Sequence, residues 1–74
     1  MDGNRKNEIS HRLYECRTES SLRGWVNYYF PFVLKNEFVG LDYSQAALRA
    51  RSLGWGDDAD LLEDASRTLK VIKS

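Results

Sequence analysis

Seventy-four residues, 42% hydrophobic and 30% charged, make one small domain and leave no room in this chain for a second. Eleven Lys and Arg balance eleven Asp and Glu, which argues against disorder and against a generic nucleic-acid binder, whose affinity rests on a local excess of cations. The single cysteine, Cys16, excludes an internal disulfide and any multi-cysteine zinc site.

A chain of this length buries only about 60% of the surface its unfolded form exposes. Natural proteins so small often add a disulfide, a metal or a partner chain, and by elimination a partner surface is the expected addition. Residues 1–24 interleave Arg5, Lys6, Glu8, Arg12, Glu15 and Arg17 without the apolar core of a signal peptide. The longest apolar run, Trp25 to Leu34, is broken by Asn27 and Pro31 and is about half the length of a bilayer span of about 20 residues. A lone thiol and no export signal make the cytoplasm the expected compartment.

In chain order, residues 1–4 read as a frayed terminus. Ile9, Leu13 and Cys16 then step by four and three, predicting a helix over 5–18. Ser20 and Ser21 end it and offer a capping hydroxyl to the next element. Leu22, Trp25, Val26, Tyr29 and Val33 fit a helical stripe, so a helix is expected over 21–30, with a kink or break at Pro31. A second helical piece would run to Val39, closed by Gly40 in a left-handed conformation. The alternative is α+β, with a β-hairpin over 25–39, because Trp, Tyr, Phe and Val also favour strands. Asp42 and Gln45 have the spacing of a capping box. Ala46, Ala47, Ala50 and Leu53 follow as a stripe small enough for a close helix neighbour, ended by Gly54, with Trp55 placed for a Schellman contact. The last helix, over 58–72, carries Asp57, Asp58 and Asp60 at its positive end and Lys70 and Lys73 at its negative end. Leu61, Ala65, Leu69 and Ile72 form its apolar stripe. It should fold back on the helix before it as an αα-hairpin, completing an all-α bundle of three to five helices.

The chemistry-bearing residues are few. Cys16 and His11 are five positions apart on one helix, which rotates them away from the contact a thiolate–imidazole pair needs. Cys16 is expected in the core and His11 on the surface. Glu8, His11 and Glu15 line a helix edge and read as ion pairs, Glu8 with Arg12 and His11 with Glu15, rather than as metal ligands. Asp57, Asp58, Asp60, Glu63 and Asp64 lack the glycine and the terminal glutamate of a calcium loop; they form an acidic face that could meet a basic partner. The same acids would repel DNA phosphates from the last helix. Arg5, Lys6, Arg12 and Arg17 could contact phosphates, diluted by Glu8, Glu15 and Glu19.

Trp25, Tyr28, Tyr29, Phe30, Phe32 and Phe38 are six of the nine aromatic residues, within fourteen positions. Tyr28, Tyr29 and Phe30 are consecutive, so one helix face cannot bury them all. The surplus is expected to form an association surface. A membrane-surface role, with Arg23 and Lys35 flanking the rings, is the rival and is weakened by the zero net charge. Leu22-Arg23-Gly24-Trp25-Val26-Asn27-Tyr28-Tyr29 resembles a short segment near the end of the maturase region in group II intron reverse transcriptases. It covers eight of 74 residues, no polymerase motif accompanies it, and it carries no function over.

These readings converge on a non-enzymatic cytoplasmic protein-binding module with no cofactor or metal. It would be a small regulator or inhibitor acting by self-association, by stoichiometric binding to a larger protein, or by both. Trp25, Tyr28, Tyr29, Phe30 and Phe32 are the expected apolar anchors, and Asp57, Asp58, Asp60, Glu63 and Asp64 a separate acidic surface. The alternative is a nucleic-acid-associated regulator using Arg5, Lys6, Arg12 and Arg17.

Overall fold

Four α-helices and a short irregular segment account for the chain in a computed structural model that describes residues 3–74. They are α1 (Gly3–Glu15), α2 (Glu19–Tyr29), α3 (Tyr43–Ser52) and α4 (Gly56–Lys73). The all-α reading holds, and there is no strand among the described residues. The hairpin alternative over 25–39 is therefore corrected. Gly3 and Asn4, expected to fray, already belong to α1; residues 1 and 2 lie outside the described residues.

Ile9 and Leu13 point α1 into the core, and Cys16 follows them just past its end. Thr18, not Ser20 or Ser21, caps α2: its Oγ1 accepts the Ser21 amide at 3.1 Å. The cap needs extended backbone, and Thr18 has it, with φ −127°. Leu22 and Val26 are fully buried on α2, and Phe30 continues their four-residue step as it leaves the helix.

The expected helical piece from Pro31 to Val39 is instead two 3₁₀ turns, Pro31–Leu34 and Asn36–Phe38. Pro31 has no amide to continue α2 and opens a new turn at its first position. Lys35 between the turns is extended, and Asn36 adopts a positive φ of 54°. That sequence of conformations stops an α-helix from propagating. The break swings Phe38 into the core at 4% exposure.

The second half follows the local signals. Asp42 accepts the Gln45 amide at 2.7 Å while the Gln45 side chain accepts the Asp42 amide at 3.1 Å, so the capping box is formed. Gly54, at φ 84°, ends α3 in a Schellman motif. In it the Trp55 amide donates to Ala50 at 2.9 Å and the Gly54 amide to Arg51 at 3.1 Å. The helix pair then meets through buried alanines: Ala46, Ala47 and Ala50 on α3, Ala59 and Ala65 on α4. Small side chains let the two backbones approach. Leu53, expected on that stripe, lies beyond the helix and is 44% exposed.

Helix α4 packs against α1, α2 and α3, with Leu61 and Leu62 at zero exposure. Polar contacts between the helices show their relative directions. Lys6 meets Asp57 and Asp60, and Tyr14 meets Asp64, so α1 runs alongside α4 in the same sense. Glu19 meets Lys73, so α2 runs the opposite way.

Candidate functional site

The aromatic run divides into two groups. Phe30 is 1% exposed, so it belongs to the core and not to a surface anchor set. Phe32, half-buried, meets Phe30 at 5.9 Å, Phe38 at 4.9 Å and Trp55 at 5.2 Å between ring centres. Trp55 also stacks on Phe38 at 6.0 Å, nearly parallel, tying the α3–α4 turn to the 3₁₀ segment. These rings form one group, with Phe30 and Phe38 buried and Trp55 at its rim, 41% exposed.

The outer group is Trp25, Tyr28 and Tyr29 on α2. Trp25 and Tyr29 are one turn apart and stack at 5.7 Å with 23° between planes. Tyr28 stands edge-on to both, at 5.9 and 5.2 Å, and is 70% exposed. Helix α1 supplies the flanks. Arg5 and Arg12 are seven residues apart, two turns, and so share one face. The Arg12 guanidinium lies 4.6 Å from the Trp25 ring centre and that of Arg5 lies 5.5 Å from Tyr29. The result is a four-layer ladder, Arg12, Trp25, Tyr29, Arg5, with Tyr28 standing beside it. Each exposed cation–π contact contributes about 0.5–1 kcal/mol. Among the described residues, the Trp25 indole N–H and the Tyr28 and Tyr29 hydroxyls donate to no protein acceptor. A hollow of ≈ 430 Å³ opens along the same helix, lined by Ser20, Ser21, Gly24, Trp25 and Tyr28.

The sequence treats the aromatic residues and the basic residues of α1 as separate surfaces; folding merges half of each. Of the other two cations, Lys6 turns to α4, and Arg17 donates to the Tyr14 carbonyl at 3.4 Å. The spacing of Arg5 and Arg12 could have revealed a shared face, but nothing local shows that α2 lies under it.

Four of the five acids of α4, Asp57, Asp60, Glu63 and Asp64, are engaged by neighbours. Asp60 takes Lys6 at 2.8 Å and Arg51 at 3.0 Å, and Arg51 also holds Glu63 at 3.0 Å. Asp64 accepts from Ser10, Tyr14 and Arg67, and Asp57 lies 3.4 Å from Lys6. The Lys6 hydrogen bond, then that of Arg51, holds the Asp60 carboxyl below its ordinary pKa. Asp58 goes the other way, raised by burial and by the neighbouring Asp57.

His11 is exposed and pairs with Glu15 at 2.8 Å as the spacing suggests, while Glu8 pairs with Arg5 and not with Arg12. Cys16 is buried, its thiol donating to the Arg12 carbonyl at 3.5 Å. Among the described residues no three His, Cys, Asp or Glu side chains are grouped to hold a metal ion. No helix there is long and apolar enough to cross a membrane. No protein-family model, curated protein or solved structure matches the chain.

Proposed function

We propose that this chain is a non-enzymatic, cytoplasmic protein-binding module. It acts stoichiometrically as a small regulator or inhibitor, by self-association or by engaging a larger protein through the ring ledge of Trp25, Tyr28 and Tyr29. The observation that carries the reading is the gathering of Trp25, Tyr28, Tyr29, Arg5 and Arg12 on one face, with Tyr28 70% exposed. Those three residue types dominate the energetics of protein interfaces. The acidic face of α4 serves the same surface indirectly, since its bonds to Lys6, Ser10 and Tyr14 hold α1, and with it Arg5 and Arg12, beside α2.

The second reading, a nucleic-acid-associated regulator, draws on Arg12 and Tyr28 as a phosphate contact and a stacking platform. It is the weaker one because Lys6 is committed to Asp57 and Asp60. The test combines sedimentation over a concentration series with capture of partners from the native host. Tyr28→Ala should abolish the association or the capture while leaving the melting temperature unchanged. A chain that stays monomeric and captures the same proteins with or without Tyr28 overturns the proposal.

A further inference from the structure

We infer that the ring ledge is built for an acidic protein segment, one that presents a carboxylate close to a large apolar side chain. This rests on the ledge being a protein-binding surface and goes on to name what it selects.

The chain as a whole is neutral, but its charges are sorted by face. The carboxylates of α4 meet α1 at Lys6, Ser10 and Tyr14, whereas Arg5 and Arg12 lie on the face turned to α2. Glu19 of α2 is held by Arg23 and Lys73. On α1, Glu8 is paired with Arg5 at 3.3 Å and Glu15 with His11 at 2.8 Å. Among the described residues no carboxylate pairs with Arg12. A guanidinium attracted to an indole face still has N–H groups to donate to another partner. Such groups form the fork a carboxylate accepts from in two parallel hydrogen bonds. The contact with Trp25 at 4.6 Å restrains the Arg12 side chain, which reduces the side-chain entropy lost on binding.

The apolar half of the recognition is the hollow between Tyr28 and the first turns of α2. Its floor is Ser21 and Gly24, and a Cβ placed on Gly24 would touch nothing within 4 Å. Glycine inside a helix is less stable than alanine by about 0.5–1 kcal/mol, and the packing of this chain does not require it there. A bulky apolar side chain of the partner fits over that floor against the Tyr28 ring, leaving its neighbouring carboxylate for Arg12. Nucleic acid is the poorer match, because its affinity grows with the number of phosphates neutralised and the ledge offers two guanidiniums, one of them shared with Glu8.

The experiment selects random displayed peptides on the immobilised 74-residue chain, discards those that also bind Tyr28→Ala, and titrates the best survivor in solution. Circular dichroism checks that each variant is folded. The expected survivors carry Asp or Glu within a few residues of Trp, Phe or Leu. Replacing that acid by its amide should weaken binding by about tenfold or more, as should Arg12→Gln, and the two changes together should cost little beyond either alone. Lys70→Gln should change nothing. Survivors with no acidic bias, or equal binding of the amide peptide, overturn the acidic preference while leaving a Tyr28-dependent protein surface intact. An absence of survivors also overturns it, and the wider reading then stands or falls on its own association test. Tighter Arg12-dependent binding of oligothymidine or oligouridine overturns it in favour of nucleic acid.

Discussion

Tyr28 and Phe30 stand two residues apart, and one is 70% exposed while the other is 1% exposed. Phe30 lies one four-residue step beyond Val26 and two beyond Leu22, so it inherits their inward direction; Tyr28 does not. Phe30→Ala should therefore destabilise by about 3–5 kcal/mol, enough to unfold a domain this small. Tyr28→Ala should stay within about 0.5 kcal/mol in urea titration. Two substitutions should add stability. The Thr68 hydroxyl is buried without a hydrogen-bond partner, so Thr68→Val should raise the unfolding free energy by about 1 kcal/mol. Gly24→Ala should add about 0.5–1 kcal/mol by its helix preference, since the new methyl meets open space. Most buried positions were legible from periodicity alone, as with Ile9, Leu13 and Leu61. The place of Trp55, still 41% exposed, was not: its ring packs on Phe32 and Phe38, residues that no local rule brings near it.

At the scale of the element, the boundaries that rest on bonds between near neighbours are the ones the sequence announces. The Asp42–Gln45 box and the Gly54 ending each close within a few residues, so composition and spacing suffice to find them. Asp42→Ala should lower stability by about 1 kcal/mol. A similar loss, about 1 kcal/mol, is expected for Gly54→Ala, which forces a side chain into the left-handed region. Thermal melts of both variants read these losses. The segment from Pro31 to Phe38 is different. Its apolar pattern is compatible with helix or strand, and what selects two 3₁₀ turns is the burial of Phe38 against Phe32 and the ring of Trp55. That selection is tertiary, and a stripe of apolar residues read along the chain does not contain it.

The molecule measures 29 × 29 × 19 Å, a slab about two helix diameters thick. So thin a body has a single internal layer, filled by Leu13, Leu22, Val26, Phe30, Leu61, Leu62 and the alanines of the hairpin. Rings beyond that layer stay at the surface, which is why Trp25, Tyr28 and Tyr29 form a ledge. Helix α4 closes the slab, and Asp60 bridges α1 to α3 through Lys6 and Arg51. A carboxyl held below its ordinary pKa contributes stability that is complete above the unfolded value and is lost as pH falls through the folded one. Asp58, raised by burial, acts in the opposite sense. The melting temperature should therefore fall as pH drops from about 5 toward 2, and Asp60→Asn should flatten that dependence while lowering the melting temperature at neutral pH. The sequence by itself determined the helices on either side of residues 25–39, the C-terminal hairpin and the excess of rings, because period, caps and composition act within a few residues. Only the tertiary structure decided which rings are outside, that Arg5 and Arg12 lie over them, and that Asp57, Asp60, Glu63 and Asp64 of α4 are occupied. Each of those outcomes depends on which helices become neighbours, and that is set by the shape of the whole core.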